Sequence, residues 1–339
     1  MKKFSEEVFE IIVCPASDKN PRNSEADIIE LSDGRLLLAY TEFYHYGSHD
    51  MAPARISGKI SCDCGKSWSE PFTVQENIGC ENVMEADLLR LKTGAIALFF
   101  LVKNSEYDSH PYMKKTFDEA KTWSEPTSIA SFYPGYFTIN NDRVIQLSNG
   151  RILLPVAYTP NVWAIRRLIS FCFYSDDSGR TWFRSEGEVS LPKATAEEPG
   201  LIEMKDGRVM MWFRTTMGHI YRAFSDDHGE SWSKPEPMEL ASPCSPQSMK
   251  RIPKTNDILL VWNNTRGPQR VPLTVAISRD EGQTWENIKN IEACPSFSYA
   301  YPSITFVRDK TLITYYSHDM KTNLISLKLK IFPVDWFYE

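Results

Sequence analysis

Hydrophobic positions along this chain fall in short runs that come in pairs, each pair joined by a tight polar turn. Asp27-Ile28-Ile29-Glu30-Leu31 and Leu36-Leu37-Leu38-Ala39-Tyr40 flank Ser32-Asp33-Gly34-Arg35, and Asp-Gly between two β-type runs is a strong hairpin signal. The pattern recurs at Thr93-Gly94, Asn149-Gly150 and Asp206-Gly207, and in weaker form at Thr255-Asn256-Asp257 and Arg308-Asp309-Lys310, so six hairpins are expected. Helical 3.6-residue spacing is nearly absent.

A second pattern alternates with the hairpins. Ser/Thr-x-Asp-x-Gly-x-Thr/Ser-Trp appears at Ser61–Trp68, Ser175–Trp182, Ser225–Trp232 and Ser278–Trp285. Thr116–Trp123 is a degenerate copy with Ala120 in the glycine place. The tryptophans at 68, 123, 182, 232 and 285 are 55, 59, 50 and 53 residues apart. In these boxes the Asp is expected to bond turn amides, the Gly to supply a special backbone angle and the Trp to pack between strands, as scaffold with no part in chemistry. None has the ligand density of a calcium loop, and no metal or other cofactor is expected.

Repeats of this length holding four strands each are propeller blades. The expected fold is therefore all-β, a six-bladed β-propeller with Asp-box repeats forming one domain over residues 1–339. The sixth hairpin, followed by Asn323–Leu329, lacks a box. An early strand at Phe9–Val13 is available to complete that last blade and close the ring, which removes exposed edges.

The bulk properties narrow the partners. With 42% hydrophobic, 24% charged and 12% aromatic residues the chain suits a strand-rich globular core. A net charge of −6 lacks the basic excess that nucleic-acid backbones require. No apolar stretch is long enough to span a membrane. Met1-Lys2-Lys3 mimics the start of an export signal, but Glu6, Glu7 and Glu10 prevent the apolar run that such a signal needs. The seven cysteines have no paired metal spacing and read as reduced thiols, giving a cytoplasmic expectation unless a signal was removed.

Residues flanking the hairpins converge on the face opposite the turns. Strand entries bring Arg22, Glu25, Asn82, Glu85, Asn141-Asp142-Arg143, Glu198, Gln247 and Tyr301; strand exits bring Glu42, Lys103, Arg214 and Asn263. Neighbouring loops add Asp50, Arg166, Arg167, Tyr221 and Arg270. Arginine and carboxylate gathered on one axis fit an anionic ligand held by bidentate contacts, with a separate acid for proton transfer.

With these residues in place the sequence resembles the sialidase (neuraminidase) superfamily, the bacterial-type Asp-box propellers, over nearly its whole length. The resemblance implies an exo-acting glycoside hydrolase that releases terminal sialic acid or a related acidic sugar from a glycan. It implies three arginines that clamp the sugar carboxylate, a Tyr nucleophile polarised by a Glu, and an Asp acid/base, which is an exception to the two-carboxylate rule. Arg22 stands before the first hairpin, Glu198 opens the fourth and Arg214 ends it. Arg270 precedes the strand into the fifth box, Tyr301 opens the sixth hairpin, and Asp50 lies before the first box. The catalytic set implied is Asp50, Glu198 and Tyr301; Arg22, Arg214, Arg270, Glu25, Glu85, Asp142 and Arg143 are expected to bind substrate.

The chain departs from the pattern at Pro21-Arg22-Asn23, where Ile-Pro usually follows the arginine, and in the extra pair Asp142-Arg143. Tyr299 competes with Tyr301 for the nucleophile. The rivals are a propeller hydrolase or lyase acting on another glycan through Glu25, Glu85 or Asp142, and a non-catalytic sugar-binding propeller.

Overall fold

The computed structural model describes residues 8–339. Residues 1–7, with Lys2-Lys3 and Glu6-Glu7 of the export-signal expectation, lie outside the described residues. Regular structure among the described residues is strand, apart from a single 3-10 turn at Val334–Tyr338. No described helix is long and apolar enough to cross a membrane.

The chain is an all-β propeller built from antiparallel meanders. Asn23–Glu30, Leu36–Phe43, Ala54–Ser61 and Phe72–Gln75 form one four-stranded sheet; Glu197–Glu203, Val209–Arg214, His219–Ser225 and Glu236–Ala241 form another; Ser248–Arg251, Ile258–Asn263, Leu273–Ser278 and Glu286–Glu292 form a third. Phe297–Val307, Lys310–Asp319 and Leu324–Pro333 make a fourth, completed by Phe9–Cys14 pairing with Leu324–Pro333. The early strand thus takes its expected place and covers the last sheet's edge. Inner strands such as Leu36–Phe43 are buried on both faces and read as continuous apolar runs. Glu286–Glu292, at a sheet's outer edge, alternates.

Six separate blades are expected, whereas four sheets stand alone and the remaining strands join in one nine-stranded sheet. The join is the strand Gly135–Thr138, which pairs parallel with Asp108-Ser109 and antiparallel with Ala157–Thr159. Gly135 makes this crossing feasible. Its φ is +134°, and a Cβ there would lie 2.3 Å from the Tyr158 ring.

The six expected hairpins each carry one left-handed residue: Gly34, Gly94, Gly150, Gly207, Asn256 and Arg308. The five Asp turns share one geometry. In the first, Asp63 accepts Ser61 Oγ (2.9 Å), Ser67 N (2.8 Å) and Ser67 Oγ (2.6 Å), while Gly65 N donates to Ser61 Oγ (2.9 Å). The degenerate turn reproduces this around Asp118, with Ala120 forced to φ +66°.

The hydrophobic core of the described residues divides into six clusters. Trp68, Trp123, Trp182, Trp232 and Trp285 each pack against a different one. The remaining cluster has no Asp turn to supply a tryptophan. There the C-terminal turn inserts Val334 and Phe337 and lays Trp336 alongside. That contact gives the box-less last repeat an aromatic seal of its own.

Candidate functional site

The innermost strands do not run straight past the axis. Their pairing register shifts between Ser24 and Asp27, Met84 and Asp87, Glu197 and Gly200, and Ala300 and Ser303. Inside these shifts sit Glu25, Glu85, Glu198 and Tyr301, with φ of 44, 65, 47 and 55°; Asp142, at the corresponding entry in the nine-stranded sheet, has φ 60°. A non-glycine residue in this region costs roughly 1–2 kcal/mol. Bulges re-aim side chains, and such strain gathers at functional sites. Five instances at equivalent entries make this end of the axis the candidate site.

The bulge also separates the two tyrosines. Tyr299 is 2% exposed and packs against Phe297 and Tyr315 (centroids 6.2 and 6.1 Å) in an inter-sheet cluster. Tyr301, past the register shift, donates its hydroxyl to Glu198 Oε1 at 3.3 Å. Glu198 is 8% exposed, and Asn140 Nδ2 holds its Oε2 at 3.1 Å. Burial pushes the Glu198 carboxyl above its ordinary range, against the pull of Arg214. Burial, then Glu198, pushes the Tyr301 phenol well above its usual value, while Arg214 and Arg270 oppose the rise.

Three arginines surround this pair. Arg214 Nη2 bridges Glu197 Oε2 (2.8 Å) and Glu198 Oε1 (2.9 Å), and its Nε has no partner. The Arg270 guanidinium lies 5.7 Å from the centre of the Tyr301 ring, fixed by Tyr316 Oη at 2.8 Å. Arg214 and Arg270 also share the Cys244 carbonyl (3.5 and 3.3 Å). Arg22, 6% exposed, bonds Ser24 Oγ (2.7 Å), Glu25 Oε1 (2.5 Å) and Asp50 Oδ1 (2.7 Å), with Phe43 beneath it at 4.5 Å. A negative charge developing on Tyr301 Oη would act on Arg22 as on the other two arginines.

Asp50 stands at the mouth. Its side chain is 67% open to solvent. Partial desolvation at the cleft mouth raises its pKa, but Arg22, then Lys103, more than offset the rise and hold the carboxyl well below the ordinary range. Asp50, Glu85, Glu197, Glu198, Arg214 and Tyr301 are among the walls of a cleft of about 290 Å³. Tyr136, Thr138, Val162, Trp163 and Arg166 close its other side. The volume suits one sugar ring, at the small end for ligand pockets.

Of the residues expected to bind substrate, Glu85 and Arg214 are on the cleft wall, while Arg22, Arg270, Glu25, Asp142 and Arg143 are not among its lining residues. Asp142 is committed to the scaffold: its Oδ2 accepts Ile304 N (2.8 Å) and Ser248 Oγ (2.9 Å), and its Oδ1 meets Lys250 Nζ. Arg143 is 1% exposed, lies 6.0 Å from the Trp212 ring, and is absent from the cleft wall. Glu25 stands behind Arg22. Glu42 is engaged by Arg55 Nε (2.8 Å) and Ser57 Oγ (2.6 Å), and Tyr221 packs mid-strand on Phe213.

The sequence reading missed a set of axial spokes. Asp27 Oδ2 accepts Leu88 N (2.9 Å), and Asp87 Oδ2 accepts Arg143 N (2.7 Å) and Val144 N (2.8 Å), so each carboxylate ties its own inner strand to a neighbour. The repeat Glu25-Ala26-Asp27 and Glu85-Ala86-Asp87 was the available signal. Among the described residues no group of three or more His, Cys, Asp or Glu side chains is arranged to hold a metal ion.

The profile of the BNR repeat-like domain matches residues 47–314. The chain belongs to this family. Among relatives of this BNR propeller, the anhydrosialidase of Macrobdella decora is 25% identical over 254 residues, 68% of this chain and 32% of that protein. The sialidase of Bacteroides fragilis is 24% identical over 247 residues, 66% of this chain and 44% of that protein. The BNR propeller thus spans less than half the length of these relatives. In fold it is similar to the leech intramolecular trans-sialidase complexed with 2,7-anhydro-Neu5Ac, with a TM-score of 0.76 at 17% identity, covering 98% of this chain and 71% of that one. A Dyadobacter fermentans protein of unknown function superposes with a TM-score of 0.80 at 20% identity, covering 96% and 99% of the two chains. These relatives set the BNR propeller in the sialidase-like superfamily.

Proposed function

We propose that this propeller is a retaining exo-glycosidase that releases terminal sialic acid or a related acidic sugar. The observation that carries this reading is the Tyr301–Glu198 hydrogen bond of 3.3 Å with the Arg214 and Arg270 guanidinium groups beside it. A phenol with a raised pKa is a poor nucleophile unless a base takes its proton as it attacks. Glu198, made more basic by burial, suits that task.

In this reading Arg22, Arg214 and Arg270 hold the sugar carboxylate through charge-assisted bonds. Tyr301 Oη attacks the anomeric carbon while its proton passes to Glu198. The glycosidic C–O bond breaks and Asp50 protonates the departing oxygen. Water deprotonated by Asp50 then displaces the tyrosyl oxygen, and Glu198 returns the proton. The Arg22–Asp50 pair opens in this sequence: a ligand carboxylate on Arg22 competes with Asp50, and release from that guanidinium lets Asp50 take up a proton. A phenol, being neutral, meets a carboxylate-bearing anomeric centre with less repulsion than an aspartate would.

We read the nine-stranded sheet as two blades stitched by Gly135–Thr138, for a total of six, and the five Asp turns as Asp boxes; the six core clusters support this count. The test is incubation with 4-nitrophenyl α-sialoside, following nitrophenol release and, by proton NMR, the first anomer formed. Release with retention is expected. No turnover on this or any natural sialoside, with tight sialoside binding, would make the protein a lectin.

A further inference from the structure

The wall of the cleft formed by the strands Asn82–Arg90 and Ile96–Ser105 holds a second group of polar side chains that the mechanism leaves unused. Lys103 is 3% exposed, deeper than a lysine ordinarily sits. Its ammonium faces the Met84 sulfur at 2.9 Å and lies beside Tyr136, 5.6 Å from the ring centre and interacting with its hydroxyl, and it makes no salt bridge with any described residue. Glu85, 5% exposed and held left-handed by its bulge, lines the same wall with Oε2 unpartnered. Thr138 also lines the cleft, and its buried Oγ1 has no partner either. A buried cation beside a thioether and two unpaired polar atoms is an unfinished hydrogen-bonding site.

We propose that Lys103, with Glu85 and Thr138, forms a second oxyanion subsite, so that the preferred ligand is an acidic sugar carrying a further anionic substituent such as a sulfate or phosphate ester. This deepens the acidic-sugar reading and rests on it for the sugar, but the subsite itself stands on Lys103. Burial and the neighbouring carboxylates Glu25 and Glu198 favour the protonated form of Glu85, which then donates, as Lys103 does. Lys103 keeps its charge: burial opposes this, but the Tyr136 hydroxyl and the Asp50 carboxylate favour the ammonium. Donors on both sides select an acceptor-rich group and leave a neutral hydroxyl poorly matched.

The test is a crystal of the whole chain soaked in sodium selenate, whose selenium is located by anomalous scattering, and a second crystal soaked in 2,3-didehydro-2-deoxy-sialic acid. A selenate peak within hydrogen-bonding distance of Lys103 Nζ is expected in the wild type and in Lys103→Arg, and none there in Lys103→Met. In solution, sulfate esters of the glycal are expected to include one that binds the wild type about tenfold tighter than the parent, a preference that Lys103→Met removes. No wild-type peak at Lys103, or a peak that survives in Lys103→Met, overturns the subsite whatever the glycal does. Selenate at Lys103 with no glycal on the arginines leaves the subsite standing and removes the acidic-sugar reading instead.

Discussion

Replacing Arg214 by lysine tests the clamp. Arg214 spends Nη2 on Glu197 and Glu198, at 2.8 and 2.9 Å, and leaves Nε unpartnered and Nη1 on a long 3.5 Å contact to Cys244 O. Two donors therefore remain for a ligand carboxylate. Lysine keeps the positive charge beside the glutamates but has no planar fork, so the ammonium stays with Glu197 and Glu198 and the ligand loses its share. Hydrogen bonds to charged groups contribute about 1.5–3 kcal/mol each. Losing the equivalent of one raises KM roughly 10- to 150-fold, with kcat changed much less. Steady-state kinetics on 4-nitrophenyl sialoside measure both, with thermal unfolding as the control for folding. Arg214→Ala adds a pH signature. Arg214 pulls the Glu198 pKa down against burial, so its loss moves that pKa further up. Because Glu198 acts as a base only when ionised, the acidic limb of the kcat/KM profile moves to higher pH. A KM for Arg214→Lys within about twofold of wild type would refute the clamp geometry.

Ala120→Gly should stabilise the fold by about 0.5–1 kcal/mol in urea denaturation, since relief of a left-handed alanine is worth roughly 1–2 kcal/mol and the added unfolded-state freedom of glycine takes back part. A destabilised Ala120→Gly would mean that the alanine methyl packs productively against its cluster. Asp87 is pushed up to about 7 by burial, against the Arg143 and Val144 amides that favour its charged form. The folded state then holds a proton that the unfolded chain has released, so this group's contribution falls as pH rises from about 4 to 7, by up to about 1.4 kcal/mol per pH unit. Asp87→Asn should remove that slope from the stability curve between those pH values, and an unchanged slope would show that another group sets it.

The repeats were legible because each blade needs the same local chemistry: a turn residue with positive φ and an Asp that satisfies turn amides leave marks at fixed spacing. Glycine was the visible sign, yet Asn256, Arg308 and Ala120 adopt the same conformation without it. The stitch at Gly135–Thr138 was invisible, since a short parallel pairing across two meanders depends on the room beside Tyr158 and leaves no periodicity. At the site, the hairpin entries identified Glu25, Glu85, Glu198 and Tyr301 because topology alone brings them to the axis. Their direction was not legible. Period-two alternation puts Tyr299 and Tyr301 on one face, and only the register shift at Ala300/Ser303 sends them apart. The same reasoning ranked Asp142 with the other entry acids, but its carboxylate is taken up by Ile304 N and Ser248. Glu197, which shares Arg214 with Glu198, was hidden by its more conspicuous neighbour.

In the proposed mechanism a tyrosine, not a carboxylate, attacks the sugar, and the direct measure is kcat of Tyr301→Phe on 4-nitrophenyl sialoside. Phenylalanine keeps the ring beside Arg270 and Tyr316, whose centroid lies 5.5 Å away, and removes only the oxygen bonded to Glu198. A fall in kcat of about a thousandfold or more is expected, with binding of a sialic acid analogue and the melting temperature nearly unchanged. Turnover near the wild-type rate would contradict it and pass the chemistry to a pair of carboxylates on the same axis.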